Sequence, residues 1–133
     1  MTPKIGTLIK NSKIYYHNLK PIISPALKQS VVFNRYGWKH LIYDSQDHRR
    51  NNKVIELRLF LLRDARHIIG TSNNPIISSI STNALTKEQT KYYEICDKSK
   101  RTGKFVKVII RQINNGTYHF YSIRRSKRNK KPA

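Results

Sequence analysis

The sequence predicts an α+β domain in which N-terminal helices pack on a C-terminal antiparallel β-sheet. A helical apolar period runs through residues 52–69, the period changes to two beyond residue 90, and Asn115-Gly116 separates the last two β-prone runs. At 133 residues the chain has the length of one domain with one core.

Along the chain, Ile5, Leu8 and Ile9 suit a helical face, whereas Ile14, Tyr15 and Tyr16 form a short β-prone run before Pro21 and Pro25. Residues 1–29 therefore read as a partly ordered arm, and 30–125 as the folded domain. Val31-Val32-Phe33 reads as a strand, and Gly37 as a break before a helical turn at Trp38-Lys39-His40-Leu41-Ile42. The long helix has Asn51 or Asn52 as its cap and Gly70 as its stop. Its apolar arc holds Val54, Ile55, Leu57, Leu61, Leu62, Ala65, Ile68 and Ile69. Arg58 falls inside that arc, where a guanidinium needs a carboxylate, carbonyls or a phosphate.

Residues 71–87 are rich in Ser, Thr and Asn and read as a connection with a short strand at Ile76-Ile77. Strands follow at Tyr92–Cys96, Phe105–Ile113 and Tyr118–Ile123. A two-residue turn at Asn115-Gly116 sets Val108 opposite Ile123, Ile109 opposite Ser122 and Lys107 opposite Arg124. A three-residue loop brings Arg111 beside His119 instead, and the sequence leaves both registers open. Residues 126–133 read as a basic, disordered tail.

Charge narrows the partners. Lys and Arg number 27 against 7 Asp and Glu, a formal charge of +20. Removing the six basic residues between Arg124 and Lys131 still leaves +14, so the excess belongs to the whole chain. A polyanion, RNA above all, is the expected partner. No run approaches the roughly 18 apolar residues of a membrane span, and Met1-Thr2-Pro3-Lys4-Ile5-Gly6 does not open a secretory signal, so a cytoplasmic protein without membrane contact is expected. Cys96 is the single cysteine, and the five His residues lack metal-ligand spacing, so neither a metal nor a cofactor is expected.

Few carboxylates argue against two-metal phosphodiester chemistry, because such sites need clustered carboxylates and the chain has only seven Asp and Glu. RNA can instead be cut when one group takes the 2′-hydroxyl proton, another protonates the leaving 5′-oxygen, and cations hold the phosphate. His40, beside Lys39 at a strand-to-helix junction, is the leading candidate for proton transfer, while His17, His48 and His67 read as surface residues. The last strand, Thr117 to Arg125, mixes rings able to stack on bases with proton donors, including His119, Tyr121 and Ser122.

A His after Gly-Trp-Lys, an Arg within a long helix, and a closing hairpin that runs Lys-Val-Ile-Ile-Arg and ends Phe-Tyr-Ser-Ile-Arg-Arg together resemble the barnase, EndoU, colicin and RelE superfamily of ribonucleases, especially its phage and mobile-element toxin branches. The resemblance spans roughly residues 30–125. It implies metal-independent endonucleolytic cleavage of cellular RNA through a 2′,3′-cyclic phosphate, and an acidic antitoxin or immunity protein as a possible second partner. It matches His40 to the helical His, Arg58 to the helix Arg and Ser122 to the hydroxyl of the last strand. His119 and Tyr121 are less firmly matched catalytic candidates. Arg111 and Lys107 would face phosphate from the preceding strand, with Arg124 at the strand end. Lys39, Arg125, Lys127 and Arg128 complete the expected RNA-binding set. The competing expectations are a non-catalytic RNA-binding protein of ribonucleoprotein type and, more remotely, a phage DNA-binding protein.

Overall fold

Three β-prone runs from Gln89 onward build the main sheet, and the middle one alternates strictly. In the computed structural model, which describes residues 4–126, strands β4 (Gln89–Lys98), β5 (Phe105–Ile113) and β6 (Tyr118–Arg125) form an antiparallel meander. Val106, Val108 and Ile110 are buried on one face of β5, and the intervening Lys107, Ile109 and Arg111 are partly exposed on the other. The edge strand β3 (Ile77–Thr82) pairs antiparallel with β4 and runs five residues beyond the C-terminal end of the expected strand at Ile76-Ile77. Helices α1 (Ile5–His17), α2 (Arg35–Ile42) and α3 (Asn52–Thr71) complete the expected α+β arrangement.

The N-terminal segment is not an arm. Helix α1 and strand β1 (Ile22–Ser24) belong to the domain, and Tyr16 is fully buried among Phe33, Trp38 and Phe120. Its hydroxyl donates to the Asn34 carbonyl, so the ring is burdened with no unpaired polar atom. Burial of this one large side chain overrides the local β preference of Ile14-Tyr15-Tyr16. Strand β1 pairs antiparallel with β2 (Gln29–Val32), and β2 runs parallel to β6 through Val31–Tyr118 and Val32–His119. The six strands therefore stand in the order β1-β2-β6-β5-β4-β3.

Two glycines act differently from the expected breaks. Asn34 caps α2 by accepting from the Tyr36 amide at 3.2 Å, and Gly37 lies inside the helix. A Cβ at Gly37 would come within 3 Å of Phe120 and the Tyr16 hydroxyl, so this glycine lets α2 approach β6 closely. Gly70 likewise lies inside α3, against Ile22, and Ser72 is the cap. At the other end of α3 Asn51 accepts from the Val54 amide at 2.9 Å, as a helix cap should. Leu57 proves to be exposed, while Leu59 takes a place in the core.

Both hairpin registers occur, one in each half. Near the tip Arg111 faces His119 and Ile110 faces Phe120, whereas farther out Ile109 faces Ser122, Val108 faces Ile123 and Lys107 faces Arg124. A bulge at Tyr121, opposite the Ile109/Ile110 step, absorbs the difference. The positive φ of the turn, 51°, falls on Asn114 and not on Asn115-Gly116. Asn114 is held there by the start of β4: its amide donates to the Gln89 carbonyl at 2.6 Å and its side chain accepts from the Gln89 amide at 2.9 Å. No helix of the described residues is long and apolar enough to cross a membrane. The expected tail, with Lys127 and Arg128, lies outside the described residues except for Ser126, whose amide donates to the Phe105 carbonyl at 3.0 Å.

Candidate functional site

The bulge is what makes a site. It allows Tyr121 and Ser122 to follow His119 onto the face away from Phe120 and Ile123, both of which are fully buried. In register across the meander, His119, Arg111 and Tyr92 form one row, and Ser122, Ile109 and Glu94 the next. Strand β2 pairs with only the first two residues of β6, so beyond His119 helices α2 and α3 are the neighbours of β6 in place of a strand.

His40, in the last turn of α2, stacks on Tyr121 with ring centroids 4.2 Å apart and planes inclined by 20°. The Arg111 guanidinium lies over the same Tyr121 ring at 4.3 Å and near Tyr36 at 5.3 Å. Arg111 Nε–H donates to His119 Nε2 at 3.0 Å, so that nitrogen carries no proton and the imidazole is neutral. Arg58 reaches from α3 to donate to Ser122 Oγ at 2.9 Å and to the Ile123 carbonyl at 3.4 Å. A hydroxyl and a carbonyl thus supply the partners that a guanidinium in the apolar arc requires.

A further cation belongs to the cluster. Arg50 Nε–H donates to the His40 carbonyl at 3.1 Å, and its Nη2 lies 3.3 Å from His40 Nε2. The loop from Tyr43 to Arg50 folds back on α2 to place it: Asp44 accepts from the amides of Gln46 and His48 at 2.9 and 3.0 Å, and the Arg50 amide donates to Ile42 at 2.8 Å. Asp47 has φ 62° in this turn.

The electrostatics follow from cations gathered around the half-buried ring of His40 and the buried ring of His119. Burial first, then Arg50, Arg58 and Arg111, push the His40 imidazole down to about 4, against a weaker pull from Asp44. Burial and then Arg111 push His119 down to about 4, opposed by a hydrogen bond with the Thr117 backbone. Burial, then Arg50 and Arg124, lower Arg58 to about 10. Burial raises the Tyr121 phenol, whereas its hydrogen bond to Arg35 lowers that of the exposed Tyr36. Both imidazoles are neutral at pH 7, amid guanidiniums of which none forms a close ion pair with a carboxylate among the described residues, Asp44 acting on Arg50 only from farther off.

A cleft of about 150 Å³ opens over this cluster, lined by Tyr36, Lys39, His40, Asp44, Arg111 and Tyr121 among others. It suits a phosphodiester link and part of a sugar better than a whole ligand of drug size. Lys39 reaches it but forms an exposed ion pair with Asp47 at 3.0 Å. A larger cavity, about 690 Å³, lies between α1 and α3, lined by Leu8, Leu57 and Phe60 together with Arg63, Arg101 and Arg125, and contains neither imidazole.

Of the residues expected from sequence, His40, Arg58, Arg111, His119, Tyr121 and Ser122 come together. Arg124 lies close enough to depress Arg58. Lys107 stands opposite Arg124 at the outer end of the sheet and is 3.8 Å from Glu94. Arg125 is not part of the site, since it lines the larger cavity. Arg50, Tyr36 and Tyr92 were missed. Arg50 sits in a polar loop with no period to reveal its direction, whereas Tyr92 could have been found by extending the register of β4 to Arg111. Among the described residues no three His, Cys, Asp or Glu side chains gather to hold a metal ion. Comparison of the chain with protein-family models, curated proteins and solved structures finds no match.

Proposed function

We propose that the chain is a metal-independent, toxin-like endoribonuclease that cleaves cellular RNA in the cytoplasm through a 2′,3′-cyclic phosphate. The observation that carries this reading is a neutral imidazole, His40, stacked on Tyr121 within a ring of Arg50, Arg58 and Arg111. A phosphodiester in the cleft, beside Arg111, gives the neighbouring Arg50 guanidinium an oxygen acceptor in place of the His40 ring nitrogen and leaves His40 Nε2 open. His40 then takes the 2′-hydroxyl proton as the 2′-oxygen bonds to phosphorus. The bond from phosphorus to the 5′-oxygen breaks, and that oxygen takes a proton from a donor such as the Tyr36 phenol.

The other groups have supporting parts. Arg58 and Arg111 stabilise the charge on the phosphate, Ser122 holds Arg58, and His119 holds Arg111. His119 is a positioning residue, because Arg111 and the Thr117 backbone occupy its ring nitrogens. Tyr121 is the platform for both His40 and Arg111. Lys39, Lys107, Arg124, Lys127 and Arg128 add to the field that draws RNA in, and the same field suits an acidic inhibitor protein.

A second reading, RNA binding without cleavage, is favoured by one observation: each Nε2 of His40 and His119 already faces a guanidinium. Purified protein incubated with total RNA in EDTA separates the two. Cleavage should leave cyclic phosphate ends and fall by about 100-fold or more in His40→Ala. Tyr121→Phe should retain it and Tyr121→Ala should not. Equal cutting by His40→Ala removes His40 from the chemistry. Salt-sensitive binding with no cutting by the wild type leaves the second reading.

A further inference from the structure

The sheet ends in an edge that differs from the rest of this cationic chain. From Ile68 through Thr86 the sequence has no charged residue, its longest such stretch, although Lys and Arg number 27 overall. That stretch contains β3, the edge strand, and all six residues of β3 are exposed. Ile77 is 49 % exposed and Ile80 64 %, and beyond the strand Leu85 is 94 % exposed. β3 itself, Ile-Ser-Ser-Ile-Ser-Thr, has no lysine, proline or bulge, the devices that ordinarily keep a strand edge from pairing.

We infer that β3 is a self-association edge, and that two copies of this chain pair antiparallel through it to form one continuous sheet of twelve strands. Electrostatics select the occupant. Two chains of +20 repel wherever their basic surfaces meet, and an uncharged edge is where a close approach costs least. Geometry restricts the register. A two-fold axis perpendicular to the sheet keeps each face on its own side, so opposed residues must differ by an even number. Centring the axis on Ile80 opposes the two Ile80 side chains, with Ser79 opposite Ser81 and Ser78 opposite Thr82. The His40 cluster, centred on β6, lies three strands away and stays open in both copies.

A short strand edge buries less than the roughly 1,200 Å² usual for a tight complex, so the dimer dissociates in the micromolar range. Salt screens the repulsion, so self-association strengthens as salt rises, opposite to the salt dependence of RNA binding. Sedimentation equilibrium of the nucleic-acid-free chain from 10 to 500 µM (on the order of these concentrations) in about 0.1 and 0.5 M NaCl tests this. The mass should climb from 15.7 kDa toward twice that value, more steeply at the higher salt. Ile80→Lys and Ser81→Lys, both at exposed positions, should remain monomeric with unchanged circular dichroism. A monomer throughout, a mass that falls with salt, species larger than dimers, or variants that dimerise as well as the wild type each overturn the inference.

Discussion

Protonation of His119 should loosen the fold. Its Nε2 accepts from Arg111 at 3.0 Å, the residue is only 4 % exposed, and its pKa falls from 6.5 to about 4. Between those values the unfolded chain binds a proton that the folded chain refuses. Stability is thus fully present above pH 6.5 and is lost as pH falls toward 4. At about 1.4 kcal/mol for each pH unit, His119 contributes about 3 kcal/mol to that loss. His40, half-buried and partly screened by solvent, adds roughly 1–2 kcal/mol. Against a total stability on the order of 5–15 kcal/mol, the combined effect moves a urea midpoint visibly. Urea unfolding in about 0.15 M salt at successive pH values from 7.5 to 4.5 measures it, with the imidazole protons followed by NMR. His119→Gln keeps an acceptor for Arg111 and should remove most of the slope. An imidazole signal of His119 titrating near 6.5, or the same slope in the variant, refutes the reasoning.

Two further substitutions separate packing from chemistry. Gly37→Ala forces a methyl against Phe120 and the Tyr16 hydroxyl and should cost about 1–3 kcal/mol in urea unfolding, whereas Gly6→Ala, with nothing within 4 Å, should be neutral or stabilising. Arg58→Met loses bonds to Ser122 and Ile123 but also relieves a desolvated cation facing Arg50 and Arg124, so stability should stay within about 1 kcal/mol of wild type while RNA cleavage falls by about 100-fold.

The C-terminal meander and α3 were legible because each has a period. Alternation placed β4, β5 and β6, and an asparagine cap at 51 or 52, which the structure resolves to Asn51, placed the start of α3. The N-terminal half was less legible because tertiary contacts decide it. Ile14-Tyr15-Tyr16 looks β-prone until Tyr16 finds its pocket, and Gly37 and Gly70 look like stops until neighbouring elements press against them. The hairpin was ambiguous for a physical reason: a bulge makes each of the two registers true over half its length. Among the candidate residues, His40, Arg58 and Ser122 stood out by type and position. Arg50 did not, since its direction depends on a loop held by Asp44.

The pairing of β2 with β6 joins residues 31–32 to 118–119, and α2 follows directly after β2. During translation the imidazole of His40 emerges from the ribosome long before Tyr121, Ser122 and the arginine opposite His119. Until β6 is released there is no platform for the ring and no anchor for Arg58, so the cluster cannot assemble before that strand has emerged. The residues that complete the cluster are therefore the last of the sheet to be made, and any chemistry it performs must wait for the final strand.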